Sequence, residues 1–259
     1  EMRLDFTLPE NNSIEVQLRL TIESLMEYMD VNEDGSFDHS EEVVQDFEID
    51  EMIFEGPDVQ SIEGGFMISV EYGLPEVGSL GLVFWIFGNE TQLGETMVKP
   101  TEVKFDVEIL SFPFELEETD LALMMELQTE VELEVNFTGT QVELRAIGER
   151  YEGFFGWSKM AEVNGDPAQV NSTMRVETEL EPEGDLEVER TIVLSYPRGE
   201  EILHDPVLGV SAVPLLPPPS ERPELPEPVA VFNTFGYAIM VGVSSLFVVA
   251  TLLARRRRK

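Results

Sequence analysis

Residues 30–41 read DVNEDGSFDHSE, and their oxygen-bearing side chains alternate: Asp30, Asn32, Asp34, Ser36 and Asp38 stand at positions 1, 3, 5, 7 and 9 of a twelve-residue stretch ending on Glu41. A calcium ion takes about six to eight oxygen ligands, so a loop wrapped around it offers oxygens at alternate residues, with a final glutamate that binds through both of its own. Gly35 falls at position 6, where such a loop has to turn sharply. An acid-rich chain supplies carboxylates anywhere, but not this alternation around a glycine.

With the hydrophobic Phe37 at position 8, the segment resembles the calcium loop of EF-hand proteins. That resemblance implies side-chain ligands from Asp30, Asn32, Asp34 and Glu41, a backbone carbonyl from Ser36, and a direct or water-mediated contact from Asp38. It also implies flanking helices. Ile22, Leu25, Met26 and Met29 share a helical face that ends at the loop, and Val43, Val44 and Phe47 form another after it, with Ser40 placed as N-cap. The expectation is a small helix–loop–helix insertion over residues 22–48. No second loop of this kind occurs in the sequence, so single loops of extracellular scaffolds, such as dockerin-like modules, are a nearer likeness than paired sensors.

The far end of the chain suggests where such a loop would work. Residues 229–254 carry no charged side chain over 26 residues, a length of ~39 Å as a helix, enough to cross a ~30 Å hydrocarbon core with tilt. Arg255, Arg256, Arg257, Arg258 and Lys259 follow at once, a basic cluster of the kind that stays on the cytoplasmic side. The reading is a single-pass cell-membrane protein with an extracellular N-terminal domain and a cytoplasmic C-terminus. A first residue of Glu1 agrees with a removed signal peptide. Residues 214–228 contain seven prolines in fifteen positions and read as a stalk. Pro226, Glu227 and Pro228, with the apolar run and the basic cluster, resemble the tripartite tails that exosortase-type and archaeosortase-type enzymes recognise.

Charge agrees with an outside location. All 52 acids precede the apolar run and five of the 16 basic residues follow it, which leaves 11 cations against 52 anions, a net charge of −41. Nucleic acid and acidic membrane surfaces repel such a chain. In bulk composition it resembles surface proteins of salt-adapted archaea. Four Asn-x-Ser/Thr sequons, at Asn11, Asn89, Asn136 and Asn171, lie ahead of the apolar run. The chain has no cysteine, which excludes disulfides, thiol nucleophiles and thiolate metal sites.

Residues 1–213 read as an all-β, antiparallel β-sandwich ectodomain, one large domain or two in tandem with a boundary near 111–119. Inward apolar residues alternate with polar ones in Leu4–Leu8, Ile14–Leu20, Val103–Ile109 and Val131–Phe137, and further strands are expected at Phe66–Tyr72, Leu80–Phe87, Gln141–Ile147, Thr173–Leu180 and Leu186–Tyr196. Leu121–Leu127 fits either a helix or a strand. Tyr151, Phe154, Phe155, Trp157 and Met160 read as core, with an exposed aromatic loop that grips a sugar or a protein as the alternative.

Catalytic signals are thin. The two histidines are His39 in the loop and His204, which reads as a turn residue satisfied by Asp205 or the backbone; no nucleophile-elbow motif is present. The functional reading is a calcium-stabilised surface domain with a structural, adhesive or binding role toward a surface protein or glycan. A surface hydrolase using paired carboxylates and an accessory or solute-binding subunit of a membrane complex are the alternatives.

Overall fold

The computed structural model describes residues 2–7, 14–38, 40–75, 77–94, 96–129, 133–147, 151–180 and 186–212. Asn11, His39, the stalk at 214–228, the apolar run at 229–254 and the basic tail at 255–259 lie outside the described residues. Among the described residues there is no helix, and so none long and apolar enough to cross a membrane.

The strands run in chain order as β1 (Met2–Thr7), β2 (Ile14–Met29), β3 (Glu42–Glu48), β4 (Ile53–Ile62), β5 (Gly65–Gly73) and β6 (Ser79–Phe87). Next come β7 (Thr91–Leu93), β8 (Thr96–Val98), β9 (Glu102–Leu110), β10 (Asp120–Thr129), β11 (Leu133–Thr138), β12 (Gln141–Ile147) and β13 (Tyr151–Ser158). The series ends with β14 (Met160–Val163), β15 (Asp166–Gln169), β16 (Asn171–Leu180), β17 (Leu186–Tyr196), β18 (Glu201–His204) and β19 (Val207–Ala212).

Every pairing that joins them is antiparallel, as the alternating sequence requires of sheets with one buried face. The first sheet has the order β1-β2-β10-β17-β16, with β3 pairing the second half of β2. The second runs β11-β12-β13-β19-β9-β18-β14-β15, and β6, β5 and β4 extend it from β9. One cluster joins the two: Leu18, Leu20, Leu123, Met125, Leu127, Ile192 and Leu194 of the first sheet share it with Leu80, Leu82, Phe105, Val107, Ile109, Phe155 and Trp157 of the second. Two antiparallel sheets over a common core are consistent with a sandwich. The segment 111–119 connects β9 of one sheet to β10 of the other, and Phe112 within it belongs to the same core. Leu121–Leu127 is strand, with Leu121, Leu123, Met125 and Leu127 inward.

The expected helix–loop–helix is not formed. Residues 22–29 continue β2, and residues 43–47 lie in β3. The physical reason is a bulge in each segment. Between Ile22, opposite Met125, and Ser24, opposite Met124, Glu23 is an extra residue, so the inward series Leu18, Leu20, Ile22 resumes at Leu25 after a gap of three rather than two. Val44 plays the same part in β3, between Val43 opposite Tyr28 and Gln45 opposite Glu27. A period of two interrupted by one residue reproduces the three-four spacing of a helical face.

The aromatic group splits by strand alternation: Phe155 and Trp157 of β13 are buried, Phe154 is half-buried on the other face, and Met160 is exposed. His204 lies in β18, not in a turn.

Where β2 meets the 113–119 segment, Glu27 is fully buried. Its carboxylate accepts hydrogen bonds from the backbone N–H of Glu115 and Leu116 at 2.8 and 3.0 Å, from the Thr119 hydroxyl at 2.5 Å and from the Gln45 amide at 2.6 Å. Burial pushes this carboxyl up, and the four donors outweigh burial and hold it below the ordinary range. Replacing Glu27→Ala orphans two backbone donors beside the core, and we expect a loss of about 3 kcal/mol or more in urea denaturation. A loss under about 1 kcal/mol would show that water replaces the carboxylate without cost.

Candidate metal site

Residues 30–41 form the connection of the β2–β3 hairpin, so the two ends of the loop are held together as the cross-strand partners Met29 and Glu42. Within the loop, carboxylates and amides cap backbone donors in succession. Asp30 Oδ1 and Asn32 Oδ1 accept the N–H of Asp34 at 3.3 and 2.9 Å, Asp30 Oδ2 accepts that of Gly35 at 2.7 Å, and Asp34 Oδ1 accepts that of Ser36 at 2.8 Å. Asp38 Oδ1 accepts both the N–H and the hydroxyl of Ser40, at 2.6 and 2.5 Å, so Ser40 caps no helix. Gly35 takes a φ of +74°, which favours glycine, and a Cβ there would meet the Asn171 amide nitrogen at 2.6 Å, so a larger residue would have to displace that amide.

Glu41 closes the loop. Its side chain is buried, Oε2 accepts the N–H of Val31 at 2.6 Å, and Oε1 is buried with no hydrogen-bond partner. A buried carboxylate oxygen without a protein donor is costly.

The loop lies across the outer face of the first sheet, away from the main core. Phe37 inserts into a second apolar cluster with Met26, Tyr28, Ala122 and Val193, its ring 5.2 Å from that of Tyr28 in an edge contact. Backbone bonds fix it: Phe37 N–H donates to Ser195 Oγ at 2.9 Å, and Thr173 Oγ1 donates to Phe37 O at 2.7 Å. Asn171 Nδ2 donates to the carbonyls of Asp34 and Gly35, at 3.1 and 3.0 Å.

Negative charge accumulates around the loop. Burial pushes the Tyr28 hydroxyl up, and Asp120, Asp30 and Glu41 add to that push. Burial likewise raises Asp120, against a hydrogen bond from the Arg198 N–H and with help from Asp30. Asp120 stands opposite Tyr28 on β10, and no signal in the sequence near residue 120 connects it to the loop. Asn171, Thr173 and Ser195 were equally hidden, because strand pairing alone brings them there. Among the described residues no three His, Asp or Glu side chains are gathered as a ready-made metal cluster. All six expected ligand residues nevertheless lie in one loop, every donor is a hard oxygen, and the orphaned Glu41 Oε1 supplies an open position, so the residues fit a calcium ion in chemistry.

No protein-family model matches this chain, and no curated protein matches it.

Along the same outer face, beyond the loop, Glu126 sits near Glu189 and Glu23. Burial pushes the Glu126 carboxyl up to about 7, with the charges of Glu189 and Glu23 adding to the rise. His204, the one histidine among the described residues, is buried and engaged on both ring nitrogens: Nε2 donates to Ser158 O at 2.8 Å, so Nδ1 accepts from the Tyr196 hydroxyl at 3.0 Å, and burial holds the ring down to about 4.

For Glu126 the folded value lies above the unfolded one near 4.5. Its contribution is therefore fully present below about pH 4.5 and lost as the pH rises through about 7. Glu126→Gln is expected to stabilise the protein by ~1 kcal/mol at pH 8 in dilute buffer, a figure reduced for solvent screening, and to have no effect at about pH 4, below the window. Urea denaturation at the two pH values checks it, and equal effects at both would sink the assignment.

Proposed function

We propose that this chain is a single-pass cell-surface protein whose β-sandwich ectodomain is clipped by one calcium ion at Asp30, Asn32, Asp34, Ser36, Asp38 and Glu41, and serves a structural, adhesive or binding role. The observation that carries the calcium reading is the unpartnered, buried Oε1 of Glu41 at the last position of a loop that turns on Gly35. Asp30, Asn32 and Asp34 would turn their oxygens from backbone donors toward the ion, and Ser36 would offer its carbonyl.

The surface location is supported by the uncharged run at 229–254 with its basic flank, by the proline-rich stretch before it and by an ectodomain charge that a membrane surface repels. Calcium bound to the native state alone contributes RT ln(1 + [Ca]/Kd), and extracellular loops of this type have Kd values of about 10⁻⁴ to 10⁻³ M. The site would fill wherever calcium is millimolar, which suits a permanent clip rather than a switch.

Thermal unfolding of the full chain tests the reading. Calcium at ten times Kd is expected to add about 1.4 kcal/mol, a rise of ~3–5 °C over chelator, and Asp30→Ala or Glu41→Gln is expected to abolish that rise. One melting temperature in all conditions would remove calcium from the account.

A further inference from the structure

We propose that the sequon Asn171-Ser172-Thr173 is the receptor for the loop, and that attachment of a glycan at Asn171 and docking of the loop exclude each other. A sequon is read as an asparagine amide and a hydroxyl two residues later. On a β-strand, residues two apart share a face. β16 is an outer strand of the first sheet, and it turns Asn171 and Thr173, opposite Ser195 and Val193, toward the loop side.

Both groups that define the sequon are engaged by the loop. The Asn171 amide has two N–H donors, and they reach the carbonyls of Asp34 and Gly35, while the Thr173 hydroxyl reaches Phe37 O. Asn171 Oδ1 is held by Gln169 Nε2 at 2.7 Å, which fixes the orientation of the amide. Its nitrogen lies 2.6 Å from where a Cβ on Gly35 would sit, so the acceptor atom is packed against the turn of the loop. Modification would form a bond from Nδ2 to the anomeric carbon of a phosphate-activated sugar, release the phosphate-bearing carrier and remove one amide proton. The docked loop engages both amide protons and so needs the one that would leave.

The other described sequons differ. Asn89 and Asn136 are exposed. A glycan placed on Asn171 before the loop docks would hold the loop off the sheet, withdraw Phe37 from Tyr28 and Met26, and leave Glu41 without its setting. Asn171 is in this sense a latch that modification would disable. The exclusion rests only on the docked loop; its effect on calcium rests on the reading above.

The test is expression of the full chain in a host that glycosylates Asn-x-Ser/Thr sites, with occupancy at Asn171 and Asn89 measured by peptide mass spectrometry. Phe37→Ala and, separately, Ser195→Ala loosen the loop without touching the main core. Asn171 occupancy is expected to be low in the unaltered chain and to rise at least threefold in both variants, with Asn89 unchanged. Equal occupancy at Asn171 in all three chains, or glycosylated Asn171 in protein that keeps a calcium-dependent melting temperature, would overturn the proposal. If occupancy rises as expected while melting ignores calcium in every chain, the latch stands and the calcium reading falls.

Discussion

Carboxylates in this protein have to find partners other than cations, and much of the local structure follows from that. With 52 acids and 16 basic residues, ion pairs can satisfy only a minority. Where cations are available they are used: Lys104 is buried between Asp106 and Asp205, and Arg145 serves Glu143 and Glu152. Elsewhere the donors are backbone N–H groups, hydroxyls and amides. Glu27 draws four of them and pins the connection between the sheets. The loop at 30–41 is the same device repeated, one side-chain oxygen after another capping the chain's own donors. Glu126, whose neighbours include Glu189 and Glu23, shows the alternative, a carboxyl that holds its proton up to about pH 7.

This constraint gives the loop its architecture. A twelve-residue excursion rich in like charge would stay off the sheet if charge alone decided its position. It lies down because Phe37 gains burial worth about 2 kcal/mol on an apolar patch, and because Asn171, Thr173 and Ser195 meet its backbone. Closing it leaves one oxygen, Glu41 Oε1, without a donor in a dense negative field. A divalent cation, as proposed, would resolve both difficulties at once, since it would supply the missing partner and offset the charge of Asp30, Asp34 and Asp38.

The sequence was a good guide to the strands with one buried face and a poor one to strands covered on both. Gln141–Ile147 alternates, and it is β12, with one buried face. In the second half of β2, Leu25 faces the main core while Met26 and Tyr28 lie under Phe37, so apolar residues occupy both faces. Add the extra residue at Glu23, and the pattern imitates a helix. The loop's expected ligand set could be read from spacing along the chain. Its receptor could not, because Asn171, Thr173 and Ser195 lie more than a hundred positions from the loop along the chain and reach it only through successive strand pairings. A strand register is a property of two segments, and no single segment states it.

Calorimetric titration of the chain with calcium, alongside Glu41→Gln, is the most direct measurement of the central claim. The account predicts one saturable site per chain with Kd of about 10⁻⁴ to 10⁻³ M, absent in the variant. Only weak, unsaturable binding in the unaltered chain, or a site that survives Glu41→Gln, would contradict it.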